Sequence, residues 1–250
     1  MALLEARDLT IKFGGVLALD SVSFDVAEGE IFGVIGPNGA GKTTLLNAIS
    51  SVYRLDGGGI RLAGDDVTNV PSHELSRRGV ARTFQIVQPF NHMTVRENVA
   101  VGAMYGHARL RQRRAFLDAA DEALTRVGLI AKADFMPPHL TLSDRKRLEV
   151  ARALAVKPRL LLLDEVMAGL NLTEIERMID LVRTINADGM TVIVIEHVMK
   201  AVLALSHRTM VLNFGKKLTE GEPHAVVNEP AVIEAYLGTR FAKTRGGNAA

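Results

Sequence analysis

The sequence predicts an α/β fold in which a parallel sheet is interrupted by a helical insertion. Short apolar segments alternate with helical segments in the N-terminal part of the chain and again after residue 155. This alternation is typical of strands that join one parallel sheet through intervening helices. From about Val95 to Ala155 the pattern is mainly helical instead. We therefore expect this middle part to be inserted into the α/β part.

Three segments near the N-terminus predict two strands and the first helix. Ser21–Val26 alternates polar and apolar residues, as a half-buried strand does. Ile31–Ile35 is a short apolar run that stops at a glycine, which indicates a buried strand. The residues from Thr43 to Ser51 have a helical pattern. A strand, a loop and a helix are thus expected to follow one another here.

Two further signals delimit the middle of the chain. Ser72–Arg78 is predicted to be a short helix, with Ser72 as its N-cap and Gly79 just past its end. The pair Pro137 and Pro138 breaks the helical pattern that follows.

The C-terminal part returns to alternating strands and helices. We predict strands at Leu160–Leu163, Thr191–Ile195 and Thr209–Phe214, and a helix at Leu172–Asn186. From Gly238 onward the chain is polar and contains glycine, so residues 239–250 are expected to form a mobile tail.

The composition bounds the class of protein. Hydrophobic residues make up 48% of the chain and the mean hydropathy is +0.14, but a membrane span needs about 20 mostly apolar residues. The longest stretch without Asp, Glu, Lys or Arg is Thr83–Val95, which contains several polar side chains and a proline. Glu5, Arg7 and Asp8 interrupt any signal-peptide core. There is no cysteine and the net charge is only +2, which excludes disulfides and thiolate sites and disfavours a dedicated nucleic-acid binder.

A glycine-rich loop joins the strand Ile31–Ile35 to the next helix. Its residues fit the spacing G-x-x-x-x-G-K-[ST] and are Gly36, Pro37, Asn38, Gly39, Ala40, Gly41, Lys42 and Thr43. In such a loop the backbone N–H groups and the helix N-terminus surround phosphate oxygens. Lys42 would reach the β- and γ-phosphates, and Thr43 would offer its hydroxyl to Mg²⁺. We also predict that Thr44 is a nucleotide-binding residue. The alternatives are a plain glycine-rich turn and a dinucleotide loop, but the glycine spacing does not fit G-x-G-x-x-G.

Two acidic residues follow the apolar strand Leu160–Leu163. Asp164 would lie at the carboxyl end of the strand, where ligands bind in open parallel sheets, and would hold the Mg²⁺ shell. Glu165 is then placed to orient or deprotonate the attacking water. Alone, such a pair is more often a solvated loop edge; together with the glycine-rich loop it predicts a site for ATP and Mg²⁺.

With these motifs the sequence resembles the ATP-binding subunit of an ABC transporter from Leu3 to about Gly238. The resemblance implies that Phe13 stacks on adenine, although a core aromatic on an edge strand is an equal alternative. It also implies that Gln85 contacts Mg²⁺ and senses membrane subunits, and that His197 contacts the γ-phosphate. The other histidines show no metal-ligand spacing.

The resemblance implies a P-loop NTPase fold with a RecA-like parallel sheet, an N-terminal antiparallel β subdomain and an inserted α-helical subdomain. The ABC ATP-binding domain would cover residues 1–238, with the helical subdomain at about 88–155.

The family signature, usually Leu-Ser-Gly-Gly-Gln, is degenerate at Leu140–Asp144. A register that aligns only Leu142-Ser143-Asp144 would need a two-residue deletion, so we prefer the first. Asp144 in place of glutamine would repel a phosphate bound to an opposing subunit by about 1 to 4 kcal/mol at 4 Å. Alternatively, Ser143 is an N-cap and Asp144 sits favourably in the first helical turn. Intact hydrolytic residues beside this signature suggest that the chain works with a different ATPase subunit.

Several stretches look like branched-chain amino acid importers: Ala81–Gln85, Met93–Val99, Asp164–Asn171 and Val232–Gly238. In the third, Asn171 stands where the family usually has Asp. The resemblance extends to importers of urea, amides and other hydrophobic amino acids. It implies transmembrane permease subunits, a second ATP-binding subunit in a heterodimer or homodimer, an indirect periplasmic binding protein, and a peripheral location on the cytoplasmic face of the inner membrane.

Two rival functions are weaker. A soluble ABC-type ATPase acting on nucleic acid could use the basic stretch Arg109, Arg111, Arg113 and Arg114, but a solvated helix face explains it more simply. Relatives of that kind carry two cassettes or a long coiled coil. A non-hydrolysing ATP binder is disfavoured by the intact hydrolytic residues. No nucleic-acid partner is therefore expected.

Overall fold

A computed structural model describes residues 1–85, 88–106 and 112–237. The predicted tail 239–250 and the basic residues Arg109 and Arg111 lie outside these ranges. The chain divides into two compact units, one formed by Met1–Asn69 and the chain from Val194 on, the other by Val70–Ile193. Among the described residues no helix combines the length and apolar character that a bilayer span requires.

The strands are β1 (Ala2–Phe13), β2 (Val16–Ala27), β3 (Ile31–Ile35), β4 (Gly57–Leu62), β5 (Asp65–Asp66), β6 (Val80–Arg82), β7 (Leu160–Asp164), β8 (Thr191–Ile195), β9 (Arg208–Asn213) and β10 (Lys216–Gly221). The helices are α1 (Lys42–Ile49), α2 (Ser72–Arg77), α3 (Val95–Tyr105), α4 (Arg113–Arg126), α5 (Leu142–Ala155), α6 (Leu172–Ala187), α7 (Met199–Leu205), α8 (Pro223–Val227) and α9 (Pro230–Leu237).

The first unit contains an antiparallel sheet in the order β2-β1-β4-β5. The predicted strand Ser21–Val26 is part of β2, and its apolar residues Val22, Phe24 and Val26 are buried. Alternation of buried and solvated residues is what a sheet with one covered face requires. The N-terminal antiparallel β subdomain is thus confirmed.

The same unit contains the strands that carry the glycine-rich loop. β3 is buried along its whole length and pairs in parallel with β9, which forms an antiparallel hairpin with β10. Ile35, at the end of β3, packs in an apolar cluster with Val202, Val211, Val226 and Val232. This packing fixes the point at which the loop leaves the sheet.

The second unit combines three strands with the helical segment. β8, β7 and β6 are neighbours in that order, and β6 runs parallel to β7; β8 continues across the unit boundary after Ile193. α3, α4 and α5 pack on one another and lie within the predicted insertion 88–155. Every residue of β7 is buried, as a continuous apolar strand in a parallel sheet should be. The predicted α/β fold class is confirmed.

The helix boundaries include one predicted break and correct one predicted cap. α3 begins with a capping box in which Thr94 and Glu97 each satisfy the other's backbone N–H. The predicted proline break is a short 3₁₀ turn at Pro137–His139. Ser72, however, is the first residue of α2 and not its N-cap, because the extended backbone of Pro71 occupies the cap position.

Candidate functional site

The glycine-rich loop of the first unit leads from the buried end of β3 into α1. Gly41 caps α1 with a left-handed backbone (φ +103°) and no side-chain hydrogen bond, so the N-terminal N–H groups are not used by a capping side chain. Leu45 N–H donates to the Gly41 carbonyl at 2.8 Å, which closes the first helical turn. A helix N-terminus of this kind attracts anions through its N–H groups and dipole.

Glycine is required at both ends of this loop. Gly36 has φ +154°, and a Cβ added there would lie 2.2 Å from the carbonyl oxygen of Leu212. At Gly41 an added Cβ would lie 2.7 Å from the carbonyl oxygen of Ala18. Both distances are far inside van der Waals contact with backbone atoms that cannot move aside. The glycines of the motif are therefore demanded by packing as well as by backbone conformation.

The lysine of the motif folds back over the loop. Lys42 is buried, and its Nζ donates to the carbonyl oxygens of Gly36 at 2.7 Å and Pro37 at 3.0 Å. The neighbouring Thr43 is exposed and Thr44 is half-buried. The ammonium group is thus held at the loop, and the Thr43 hydroxyl is accessible to a ligand.

The turn between β9 and β10 supports the loop, which sequence reasoning missed. The N–H of Gly215 donates to the Ala40 carbonyl at 3.0 Å, and the Gly215 carbonyl accepts from Asp20 N–H at 2.8 Å. Gly215 has φ +76° and lies close to the Ala18 carbonyl. Gly215 directly follows the predicted strand Thr209–Phe214, so a turn could be expected there, but the neighbouring sequence does not indicate which loop the turn contacts.

Tyr236 of α9 also reaches the loop. Burial raises the pKa of its hydroxyl, while the backbone N–H of Gly36 favours the ionised form and opposes that shift. Val232 of the same helix is buried in the cluster around Ile35. The C-terminal helix therefore packs on the residues where the loop begins.

Phe13 and His197 are accessible residues of the first unit. Phe13 is 47% exposed and makes an edge-to-face contact with Tyr53, with ring centroids 5.1 Å apart. Because this exposure is incompatible with a core position, the alternative of a core aromatic on an edge strand is wrong. His197 is exposed and follows β8 by two residues.

In the second unit Asp164 ends β7 in a buried, structured environment. Its Oδ2 accepts a 2.7 Å hydrogen bond from Nη2 of Arg82, and its backbone N–H donates to Oγ1 of Thr83 at 3.1 Å. Within the described ranges, Oδ1 of Asp164 is buried and has no hydrogen-bond partner. Asp164 is therefore no solvated loop edge, and one of its oxygens is left for another ligand.

Glu165 follows in a strained conformation. Its φ of +49° lies in the left-handed region, which a glutamate adopts only when its surroundings impose it. Its Oε2 accepts a 2.7 Å hydrogen bond from Nε2 of Gln85. The structure thus brings together two of the predicted site residues, Gln85 and Glu165.

A buried lysine, which sequence reasoning missed, holds the backbone at both residues. Nζ of Lys146, on α5, donates to the carbonyl oxygens of Gln85 at 3.2 Å and Glu165 at 3.0 Å. Lys146 is one of the few buried charged residues. A charged side chain in a helix ordinarily indicates a solvated face, so the sequence contained no signal for this role.

The three side chains predicted to bind Mg²⁺ carry oxygen atoms of the types that this cation prefers. Thr43, Gln85 and Asp164 offer a hydroxyl, an amide and a carboxylate, and Mg²⁺ prefers oxygen ligands with one or two carboxylates and substrate phosphates. The buried, unused Oδ1 of Asp164 fits that requirement. No cluster of three or more His, Cys, Asp or Glu that could hold a metal occurs in the described part of the chain.

Comparisons with known proteins identify the family. A family model described as "ABC transporter" matches residues 19–168, and one described as "Branched-chain amino acid ATP-binding cassette transporter" matches residues 216–242. The high-affinity branched-chain amino acid transport ATP-binding protein LivG of Salmonella typhimurium is 40% identical over 94% of this chain and 98% of its own length.

The chain belongs to the ABC transporter family.

Solved structures agree with this assignment. The ADP conformation of an ATP-binding cassette of an ABC transporter has a TM-score of 0.87 and 31% identity, covering 95% of this chain and 99% of that one. A dimeric cassette in a post-hydrolysis state with ADP and Pi has a TM-score of 0.79 and 25% identity, covering 88% and 98%. This ABC cassette is thus an ATP-binding, ATP-hydrolysing transporter subunit.

The signature segment of this ABC cassette differs from expectation in its cap. Thr141, not Ser143, is the N-cap of α5, and its side chain accepts from the N–H of Asp144 at 3.2 Å. Ser143 is inside the helix, so its predicted cap role is wrong. The preferred register, which puts Thr141 at the serine position, agrees with this cap.

The negative charge of Asp144 is balanced by cations of its own unit. Asp144 is 2% exposed and pairs with Lys132 and, at 2.8 Å, with Nη2 of Arg147. Burial opposes ionisation, but hydrogen bonds from Lys132 and Thr141 and the charges of Lys132 and Arg147 outweigh it, so the pKa of Asp144 lies below its usual value. Because Lys132 and Arg147 neutralise this carboxylate, the repulsion that we expected between Asp144 and a phosphate on an opposing subunit loses its basis.

Asn171, at the end of the segment that usually carries Asp in this family, has a local role. It is the N-cap of α6 and forms a capping box with Glu174, with both hydrogen bonds at 3.0 Å. Asn and Asp cap helices about equally well. The departure from the family pattern therefore leaves the helix start intact.

Proposed function

We propose that this chain is the ATP-hydrolysing subunit of an importer of branched-chain or related hydrophobic amino acids. The support is the similarity to LivG over nearly the whole chain, together with the matching C-terminal segment 216–242. Urea or amide import is the alternative within the same class. Substrate would pass through separate permeases and would never touch this chain.

The phosphate loop would bind ATP through its backbone and one lysine. The N–H groups from Gly36 to Thr43 and the N-terminus of α1 would surround the phosphates, because the helix has no competing side-chain cap. Lys42 is already held at the loop by two carbonyl oxygens. The accessible rings of Phe13 and its neighbour Tyr53 would take the adenine.

Asp164, Gln85 and Thr43 would hold Mg²⁺, which neutralises charge that develops on the phosphates. Glu165 would accept a proton from the attacking water, and His197 would contact the γ-phosphate. The observation that carries this mechanism is the constrained geometry of Glu165, whose strained backbone and bond from Gln85 fix its carboxylate. A general base needs such fixed placement.

Membership of the ABC transporter family supports a proposal about partners. We propose that two ATP-binding subunits close around ATP and move transmembrane permeases through the region of Gln85, on the cytoplasmic face of the membrane. A periplasmic binding protein would act only indirectly. The second subunit is expected to differ from this one, because the signature Leu140–Asp144 has lost both glycines of the family pattern.

Glu165→Gln tests the mechanism. In the assembled transporter we expect ATP binding to remain and hydrolysis to fall by at least a hundredfold, since general base catalysis contributes about 10²–10⁴-fold. Glu176→Gln, an exposed change on α6, is the matched control and should hydrolyse ATP normally. Unchanged turnover in Glu165→Gln would remove Glu165 from its role.

Uptake measurements test the cargo. A strain that lacks this gene should lose uptake of labelled leucine, isoleucine and valine, and plasmid-borne wild-type protein should restore it. Labelled urea is the control cargo. Loss of urea uptake with normal leucine uptake would refute the amino acid assignment but leave the ATPase role standing.

A further inference from the structure

A buried ion pair joins the predicted Mg²⁺ ligand to an arginine for which we have proposed no role so far. Nη2 of Arg82 lies 2.7 Å from Oδ2 of Asp164, and the two side chains are only 6% and 2% exposed. Breaking such a pair from one side leaves an uncompensated buried charge, which is far more costly than losing a surface pair. Arg82 therefore directly balances the charge of the buried Asp164 carboxylate.

The fold delivers both partners from adjacent strands. β6 and β7 run in parallel with Arg82 opposite Leu162, so the arginine must extend two residues along the neighbouring strand to reach Asp164. The ring of Phe84 lies 5.2 Å from the guanidinium carbon and covers it. Thr83, fully buried, binds the Asp164 N–H. The end of β6 thus fixes both the backbone and the carboxylate of Asp164.

The two carboxylate oxygens are used differently. Oδ2 is bonded to Arg82, whereas Oδ1 is buried with no hydrogen-bond partner in the part of the chain that the structure describes. A carboxylate whose charge is already balanced attracts a second cation weakly. Magnesium that arrives with the negative phosphates of ATP meets no such barrier.

We propose that Arg82 is the resident counter-ion of Asp164 and makes Mg²⁺ binding depend on nucleotide. Arg82 orients Oδ1 and keeps the site neutral, so that bare Mg²⁺ does not occupy it. This inference rests on the proposed role of Asp164 as a Mg²⁺ ligand. Arg82 is a positioning residue, because it acts through Asp164.

Thermal unfolding of the full chain tests the proposal without any activity measurement. In EDTA, Arg82→Met should lower the Tm by about 10 °C, as expected for breaking a buried pair in a chain of this size. Millimolar Mg²⁺ without nucleotide should then raise the Tm of Arg82→Met by several degrees but leave the wild type unchanged. Arg183→Met, which removes an exposed pair with Asp180 at 3.8 Å, is the control and should behave as wild type.

Two further variants separate charge from side-chain shape. Arg82→Lys keeps the positive charge, so it should show no stabilisation by Mg²⁺ alone, and it covers the case in which Arg82→Met does not fold. Adding Asp164→Asn to Arg82→Met removes the uncompensated carboxylate. The double variant should recover most of the lost Tm and lose the response to Mg²⁺ alone.

These measurements distinguish a failure of the Arg82 counter-ion proposal from a failure of the proposed role of Asp164 as a Mg²⁺ ligand. If Asp164→Asn is stabilised by ATP and Mg²⁺ as strongly as wild type, Asp164 is not the Mg²⁺ ligand, and the proposed mechanism is wrong. If that variant loses the stabilisation but Arg82→Met unfolds like Arg183→Met, the counter-ion proposal is overturned. An equal response of wild type and Arg82→Met to Mg²⁺ alone overturns it as well.

Discussion

Replacing Asp144 with Asn removes one negative charge from the start of α5 and keeps the shape of the side chain. The carboxylate is buried and bonds to Lys132 and Arg147. The N-cap bond from the Asp144 N–H to Thr141 belongs to the backbone and remains. The variant therefore removes the two ion pairs, together with the smaller charge effects of Thr141 and the helix start, and leaves the backbone cap in place.

The structure sets the size of the effect. A hydrogen bond to a charged group contributes about 1.5–3 kcal/mol. The side chains of Lys132 and Arg147 are 40% and 27% exposed, so solvent satisfies them in part when the carboxylate is lost. We therefore expect a loss of about 2–3 kcal/mol in the free energy of unfolding, or roughly 4–12 °C in Tm.

Chemical and thermal unfolding of the full chain at neutral pH measure this loss. Lys132→Met and the double variant complete a thermodynamic cycle, whose coupling should be about 1–2 kcal/mol. Asp188→Asn breaks an exposed pair with Arg126 and should cost less than 1 kcal/mol. Equal stability of Asp144→Asn and wild type would refute the reasoning.

The pH dependence provides a second check on Asp144. Because the pKa of Asp144 is lowered in the folded state, its stabilisation is fully present above the pKa of the unfolded chain, about 3.9, and is lost as the pH falls through the folded value. The difference in stability between wild type and Asp144→Asn should stay constant from pH 7 to about 5 and shrink below about pH 4. A difference that grows on acidification would contradict the assigned ion pairs.

Three further changes have expected outcomes. Lys146→Met should lower kcat for ATP hydrolysis at least tenfold with little change in KM, because the Glu165 carbonyl loses the hydrogen bond from Lys146. Steady-state kinetics of the complex measure both constants. Gly36→Ala should abolish ATP binding in a fluorescent-nucleotide titration, since its Cβ would meet the Leu212 carbonyl at 2.2 Å. Phe13→Ala should weaken ATP binding about three- to tenfold, the loss of one aromatic contact of about 1 kcal/mol, with kcat unchanged.

Each of these changes has a control. Lys146→Arg keeps the charge and should retain more activity than Lys146→Met. Gly189→Ala introduces a Cβ at another left-handed glycine with no neighbour within 4 Å, so it should bind ATP normally. Phe13→Tyr keeps the ring and should bind like wild type. Full ATP affinity in Phe13→Ala, or in Gly36→Ala, would contradict the corresponding contact.

Local patterns predicted the elements whose signals are strong in the sequence itself. The wholly apolar runs of β3 and β7 and the glycine-rich loop could be located because burial and backbone conformation are encoded residue by residue. The caps are less strongly encoded: the prediction of Ser72 as an N-cap and the alternative of Ser143 as one are both wrong, because Pro71 and Thr141 fill those positions. Ser and Thr are both favoured N-caps, and at α2 a proline without a capping side chain takes the position, so the path of the chain that enters the helix decides the cap.

Ion pairs between residues that are distant in the sequence could not be predicted from local sequence patterns. Lys132 meets Asp144 only because the chain turns at Pro137–His139 and α5 then begins after Thr141. Arg82 and Lys146 looked like ordinary solvated residues, and only the packing of β6 and α5 buries them. Such contacts depend on tertiary structure, which composition and periodicity do not encode.

The support of the phosphate loop by Gly215 has a consequence for synthesis of the chain. The loop is translated within the first 45 residues, but its hydrogen bond from the β9–β10 turn requires a glycine translated about 170 residues later. Chains emerge N-terminus first and fold as units. A prematurely terminated chain that stops before Gly215 carries the complete ATP-binding motif yet lacks the turn that braces it, so we expect nucleotide to stabilise such fragments less than it stabilises the full chain.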